Sequence, residues 1–400
     1  MPLIPTSTDA YNGYVRPGTI DLSQTKNFLL QDELVEIYND IGSQHPYPPP
    51  GETEESHLLD SLAKLFNNYF NPCIPVNKSH IATAPGATGC LNALLYNICN
   101  SGGGVLIPGP HWGDSDLDID YSNTGVMPIP VNTNLRGSCN NFARALNEAF
   151  DSASCRVKAL ILRNMSSSSG ECFTQEFLEV ALKFCQQKRI HFISNEVYAL
   201  TGFSCAEISD PVPFVSALGL NTRMLGCDLS RIHIIWSISK DFGANGVKVG
   251  CTVSQNNREL IRGLSNAPNS KITPISHAFA TSLLSSPRLP MLIAVNSARL
   301  AECYILITSF FVQHGIKYIP ANSGLTIFAR LAPNARSRDD EAEMVQVLKN
   351  AGVMVSNAGA SFQKTFREKG WARISFSVDL DQLHEALGRI KLALGLRYDD

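Results

Sequence analysis

Between Lys158 and Asn195 the hydrophobic pattern changes period twice. "KALILRN" (Lys158 to Asn164) is a short apolar run that ends in polar residues, as a buried strand does. "TQEFLEVALKFCQQKR" (Thr174 to Arg189) then places Phe177, Val180, Ala181 and Phe184 on one helical face, with Thr174 positioned as the N-cap. "IHFISN" (Ile190 to Asn195) returns to strand. Strand, helix and strand at this length predict a βαβ unit, whose two strands must run parallel. "IHIIWSI" (Ile232 to Ile238) reads as a further buried strand of the same sheet. In open parallel sheets, ligands collect beyond the carboxyl ends of the strands. Asn164, Asn195 and Lys240 all fall at or just past such ends, so a site is expected there.

The C-terminal part has another texture. "GLTIFARL" (Gly324 to Leu331) and "WARISFSV" (Trp371 to Val378) read as strands, and "DDEAEMVQVLKNAG" and "DLDQLHEALGRIKLALG" as helices. This predicts a smaller α+β domain, residues 291–400 together with an N-terminal arm, 1–45, beside a large α/β domain over 46–290. The chain of 400 residues is long enough for both.

Bulk properties exclude several classes of function. Charged residues are 17% and the formal net charge is −3, with no Lys/Arg block, so no nucleic-acid partner is expected. No apolar run reads as a membrane span, and "MPLIPTSTDAYNGYVRPG" lacks the regions of a secretory signal, so a cytoplasmic protein is expected. The cysteine count is odd, 11, with no C-x-x-C spacing, which predicts free thiols. The scattered histidines give no metal motif, so no metal site is expected.

"SISKDFGANGVKVG" (Ser237 to Gly250) carries the chemistry. A lone lysine is more often solvated than catalytic. Here Ser237 and Ser239 flank Lys240, Gly243, Gly246 and Gly250 follow it, and Lys248 adds a second cation. Hydroxyls, closely approaching backbone and a cation are what a phosphate needs. A lysine at a strand end inside a pocket can act as a nucleophile.

This stretch resembles the S-x-S-K-D-x-G-x-x-G-x-[RK]-x-G signature of class I/II aminotransferases, the fold-type-I pyridoxal-phosphate enzymes. The similarity is greatest to the branch holding 1-aminocyclopropane-1-carboxylate (ACC) synthases and their fungal relatives in secondary metabolism. Further segments follow in family order. They are "GTIDLSQTKNFL", "YFNPCIPVNKSHIATAPGATGCLNAL", "VLIPGPHWGD", "ALILRNMSSSSGECF", "HFISNEVYA" and "GWARISFS". The resemblance implies a large domain with a mostly parallel sheet sandwiched by helices, a smaller α+β domain, a homodimer, and pyridoxal 5′-phosphate as cofactor.

It also implies roles for particular residues. Lys240 would be the Schiff-base lysine and proton shuttle. Ala87, Thr88, Ser237 and Lys248 would hold the phosphate, the first two at a helix N-terminus. Trp112 would stack on the pyridine ring, and Tyr198 would hydrogen-bond its phenolic oxygen. Arg373 would grip a substrate carboxylate. Tyr47, in "HPYPPPG", lies near the place where the family offers a tyrosine to the partner subunit's phosphate.

Departures from the pattern concern the ring. The aspartate that keeps the pyridine nitrogen protonated is Asn195 here, and an amide carries no charge to do so. The asparagine that contacts the ring oxygen falls on Ser167. The phosphate arginine is Lys248, which loses the bidentate fork. The glutamate of ACC synthases is Lys26, which counts against ACC formation. An active enzyme on an α-amino-acid-like substrate is expected, with lyase or substitution chemistry favoured by the weakened electron sink. Ordinary aminotransfer and a cofactor-degenerate binding or regulatory role are the alternatives.

Overall fold

The computed structural model describes residues 18–44, 52–109, 124–133, 137–165, 170, 172–267, 271–357 and 368–396. Its centre is a seven-stranded sheet. In chain order the strands are β2 (Ile81–Ala84), β3 (Gly104–Pro108), β4 (Met127–Val131), β5 (Val157–Arg163), β6 (His191–Asn195), β7 (Ile232–Ser237) and β8 (Gly250–Val253). Their spatial order is β2-β8-β7-β6-β5-β3-β4. The pairs β3–β4, β3–β5, β5–β6 and β6–β7 are parallel, and β8 runs against both its neighbours. The sheet is therefore mostly parallel, as expected.

The helix between β5 and β6, α5 (Gln175–Lys188), follows α4 (Cys139–Asp151) in the chain and lies where the periodicity put it. Thr174 Oγ1 accepts from the Phe177 backbone N–H as its N-cap, and Arg189 closes it in the left-handed region at φ 55°.

Side-chain alternation divides the sheet's two faces. Leu160, Leu162, Phe192, Ile234 and Trp236 join one apolar cluster, which also takes in Phe177, Ala181 and Phe184 of α5. Ile161, Ile193 and Ile235 point to the opposite face. There they pack with Leu91, Leu94 and Leu95 of α3 (Gly86–Ile98) and with α7 (Arg258–Ser265). The sheet is thus covered on both sides, as near-continuous apolar strands require.

A second sheet, antiparallel, has the order β12-β13-β10-β9. Its strands are β9 (Tyr318–Ile319), β10 (Thr326–Arg330), β12 (Ser356–Asn357) and β13 (Trp371–Ser375). It packs with α10 (Arg338–Asn350) and α11 (Leu380–Ala393) around a cluster that includes Ile327, Ile374, Leu348 and Leu387. The N-terminal β1 (Ile20–Asp21) pairs in parallel with β11 (Val353–Met354) and adds Leu22 to that cluster. The chain then crosses over. Leu30, Leu34 and Ile37, at and within α1 (Gln31–Gln44), join the cluster of the large sheet and pack on α8 (Pro274–Ser285).

The two bodies are also joined by α9 (Leu289–Gln313), a single helix. Leu289 and Leu292 pack with the large sheet, while Leu300, Cys303 and Ile307 pack with the small one. By length and composition α9 could cross a bilayer, which the sequence reading had not anticipated. Its buried side reads as a core helix, because it holds Asn296 hydrogen-bonded to Asn27. All 11 cysteines are free thiols, as expected.

Candidate active site

Period-2 alternation builds the floor of the site. Two residues beyond Ile161, Ile193 and Ile235 come Arg163, Asn195 and Ser237, on the same face, at the carboxyl ends of β5, β6 and β7. All three line a cleft of about 230 Å³. Its opposite wall is the start of α3, where Gly86, Ala87 and Thr88 meet it. Lys240, Tyr198, Lys248 and Arg373 complete the set of predicted residues brought together there. Trp112, Ser167 and Tyr47 lie outside the described residues.

The α3 end suits an anion. Its N-cap is Pro85, which supplies no side-chain acceptor, so the first N–H groups of a 13-residue helix open onto the cleft. Gly86 has φ +74°, a conformation that favours glycine. The neighbouring strand comes very close, since a Cβ on Gly250 would lie 2.5 Å from the Gly86 carbonyl carbon. Lys248, itself left-handed at φ 56°, brings its Cδ to 3.9 Å from where a Gly86 Cβ would be. Ser237 precedes the short helix α6 (Ile238–Asp241), and its hydroxyl makes no capping bond to it.

Lys240 sits in α6. Its Nζ donates to the Thr25 carbonyl and lies 5.9 Å from the centre of the Tyr198 ring. The next residue, Asp241, is buried beneath it. Asp241 Oδ2 accepts from Trp236 Nε1 at 2.7 Å, and Oδ1 accepts from the Leu200 N–H at 3.1 Å. Burial pushes this carboxyl well above the usual range, and the two N–H donors oppose that. The aspartate thus ties the lysine helix to β7 and to the segment that carries Tyr198.

Among the described residues, the buried Oδ1 of Asn195 has no hydrogen-bond partner. A buried amide oxygen left unpaired is costly, and a donor bound in the cleft would remove that cost. Its neighbour Glu196 is turned away. Its carboxylate accepts from Ser194 Oγ at 2.7 Å, Ser216 Oγ at 2.6 Å and the Ala217 N–H at 2.9 Å. Burial raises its pKa to about 7. Asn164 is likewise occupied with scaffolding, donating from Nδ2 to the Val215 carbonyl at 2.6 Å.

Arg373 comes from β13 of the small sheet and is 9% exposed. Its Nη2 donates to the Ser23 carbonyl at 3.3 Å and lies 3.5 Å from Ser356 Oγ. The segment that reaches over Lys240 therefore also reaches Arg373.

Sequence reasoning missed Thr25, Asn27 and Arg163. The first two act on Lys240 from more than 200 residues away, a pairing no local pattern carries. Arg163 did leave a signal, since it stands two residues after Ile161, in phase with Asn195. Among the described residues no group of three or more His, Cys, Asp or Glu could hold a metal ion.

Residues 27–390 match the family described as aminotransferase class I and II. The chain belongs to that family. This aminotransferase-class enzyme is 40% identical over 385 residues to the probable aminotransferase aclI of Aspergillus oryzae, covering 94% of this chain and 91% of aclI. It is 28% identical over 340 residues to 1-aminocyclopropane-1-carboxylate synthase 6 of Arabidopsis thaliana, covering 83% of this chain and 67% of that one. A double mutant of Thermus thermophilus aspartate aminotransferase shares the fold, with a TM-score of 0.76 at 17% identity, over 98% of this chain and 97% of that one. The family is pyridoxal-phosphate-dependent. The uncapped α3 N-terminus, the Gly86–Gly250 approach and the unpaired Asn195 oxygen all fit that group.

Proposed function

We propose that the protein is a pyridoxal-phosphate-dependent enzyme acting on the α-amino group of an amino-acid-like substrate, by elimination or substitution at Cβ or Cγ rather than by full transamination. The observation that carries this is the cleft itself. A lysine stands at the end of β7, an uncapped helix N-terminus faces it, an arginine stands nearby on the small sheet, and the residue at the end of β6 is the neutral Asn195.

Each side chain then has a physical task. The Ala87 and Thr88 N–H groups, with Ser237 and Lys248, hold the phosphate dianion. Arg373 takes the substrate carboxylate in its planar fork. Displacement of the Ser23 carbonyl from Nη2 frees a donor for it. Lys240 Nζ would anchor the cofactor, and as a free amine it would take and return a proton at the substrate Cα. Tyr198 would hydrogen-bond the phenolic oxygen of the cofactor ring. When bound, pyridoxal phosphate supplies an aldehyde and a conjugated ring that draws electrons from Cα. Asn195 can donate or accept at the ring nitrogen but cannot balance a positive charge there, which favours chemistry that expels a leaving group promptly. Family members are often dimeric, and we place this protein as a homodimer whose partner completes the phosphate site, with Tyr47 as the reaching residue.

Product analysis tests the reaction. Incubation with candidate amino acids is expected to release an ammonia-plus-keto-acid or substituted product without a keto-acid acceptor. Stoichiometric amination of an added keto acid, with pyridoxamine phosphate left on the protein, would show ordinary aminotransfer instead. Lys240→Ala is expected to abolish the visible absorbance band that forms on adding pyridoxal phosphate. Light scattering of the loaded protein should return twice the chain mass of 43.6 kDa.

A further inference from the structure

A second cavity lies at the amino ends of β5 and β6, across the sheet from the cleft. Both strands run from one to the other, β5 from Val157 to Arg163 and β6 from His191 to Asn195. Its volume is about 450 Å³, within the roughly 300–1,000 Å³ of small-molecule sites. Five basic side chains line it, Arg156, Lys158, Lys188, Arg189 and His191. Lys158, Lys188 and His191 are half-buried. The carboxyl end of α5 gives Lys188 and Arg189 a structural reason, because such helix ends attract cations. Arg156 and Lys158 open a strand and have no such reason. The stem of Lys158 is held in place, since its Cγ would lie 3.3 Å from a Cβ on Gly103. Lys188 is positioned too, with Nζ 4.5 Å from the centre of the Phe150 ring and 3.3 Å from Asp151 Oδ1.

His191 adds a donor that the interior can switch on. Its Nδ1 lies 2.8 Å from His233 Nε2, and His233 Nδ1 lies 3.0 Å from Ser254 Oγ. Burial holds both rings neutral. Each contact in this line needs one proton, so the three groups have two consistent settings. In one, both rings donate inward and His191 is left with a bare Nε2. In the other, Ser254 donates to His233, His233 donates to His191, and His191 carries an Nε2–H. An anion in the cavity selects the second.

We propose that this cavity binds a soluble phosphorylated small molecule through Arg156, Lys158, Lys188, Arg189 and the Nε2–H of His191. The tetrahedral oxygens of a phosphate can take charge-assisted bonds from donors that converge from two strands and a helix end. Phe150 offers an apolar wall to the rest of the molecule. The basic group is local, in a chain whose net charge is −3, and this suits a small anion rather than a nucleic acid. The site is separate from the cleft and does not depend on how the cleft is read.

Titration calorimetry of the full chain with inorganic pyrophosphate tests this, at low ionic strength and after incubation with excess pyridoxal phosphate to fill the cleft. One saturable site per chain is expected. Lys158→Gln and Arg189→Gln should each weaken it about tenfold, since each removes one charge-assisted contact. Asp151→Asn should tighten it about threefold, because it removes the carboxylate that competes for Lys188. Lys248→Gln, in the cleft, should leave it unchanged. A folding defect cannot produce this pattern, because one of the variants gains affinity. Absence of saturable binding to the wild type overturns the site, as does an affinity of Lys158→Gln equal to wild type. Binding lost in Lys248→Gln but kept in Lys158→Gln would put the pyrophosphate in the cleft and also overturn it.

Discussion

The side-chain amide of Asn27 donates to the main-chain carbonyl of Lys240 at 3.1 Å, and Lys240 Nζ donates to the carbonyl of Thr25, two residues before Asn27. The N-terminal segment therefore grips the lysine at both its backbone and its side chain. Asn27 is fully buried, and its Nδ2 also meets Asn296 Oδ1 at 2.8 Å while its Oδ1 accepts from the Leu29 N–H. The small sheet secures the same segment, since Ser377 Oγ donates to the Lys26 carbonyl.

Asn27→Ala strips partners from buried groups on both bodies. Each buried polar atom left unpaired costs about 1–3 kcal/mol. A loss of about 2–3 kcal/mol in chemical denaturation is expected, with weaker retention of pyridoxal phosphate on dialysis because Lys240 loses its backbone support. A variant as stable as wild type would show that the amide is not what holds the lysine helix.

Glu196 makes stability depend on pH. Its folded pKa is raised to about 7 by burial, against an ordinary value of 4.5, while the Ser216, Ala217 and Ser194 hydrogen bonds pull the other way. The folded protein keeps a proton that the unfolded chain releases, so the contribution of this group is fully present below pH 4.5 and is lost as pH rises through about 7. The expected size is about 3 kcal/mol, at roughly 1.4 kcal/mol per pH unit. In Glu196→Gln the amide oxygen can still accept from the Ala217 N–H, and Ser216 can turn to accept from the new NH₂. Relative to wild type, the variant should therefore lose more urea resistance at pH 5 than at pH 8.

How much of this was readable in advance follows from sequence distance. The βαβ unit was legible because its signal is local. The alternation of "KALILRN" and the spacing of Phe177, Val180, Ala181 and Phe184 state their own geometry, and Asn195 and Lys240 could be placed at strand ends from that alone. The parts that hold Lys240 were not legible. Thr25 and Asn27 sit in "TKNFL", whose polar residues look solvent-facing until β1 pairs with β11 and carries them into the site. Asp241 and Glu196 follow the site residues in the chain, yet each turns behind the sheet to brace another segment. A one-dimensional pattern gives the order of such residues but not which way they face.

The two histidines at the far side of the sheet predict an acid limit. His191 Nδ1 lies 2.8 Å from His233 Nε2, with the rings stacked at 5.1 Å, and His233 Nδ1 lies 3.0 Å from Ser254 Oγ. Burial depresses both, to about 4 for His191 and about 3 for His233, and nearby positive charge adds to it. The unfolded chain takes up these protons at its ordinary value of 6.5, so stability is lost as pH falls from 6.5 toward 4 and 3. His191→Asn removes one of the two. Its plot of unfolding free energy against pH should be shallower between pH 4 and 6 by one proton, about 1.4 kcal/mol per pH unit. An unchanged slope would mean that the pair is not held neutral.

Gly250→Ala tests the proposed phosphate cradle without touching a charged group. The added methyl would meet the Gly86 carbonyl carbon at 2.5 Å, the Gly86 oxygen at 2.8 Å and the Ala87 nitrogen at 2.8 Å. All are backbone atoms, so no side chain can rotate out of the way. The start of α3 must move, and with it the N–H groups that face the cleft. Overpacking of this kind costs about 1–3 kcal/mol of stability. Affinity for pyridoxal phosphate should fall further than that of Gly246→Ala, where the position is open and nothing lies within 4 Å. Fluorescence titration of both apo variants with pyridoxal phosphate and with inorganic phosphate separates the causes. A displaced cradle weakens both ligands at Gly250→Ala, whereas a defect confined to Lys240 would weaken only the aldehyde-bearing one.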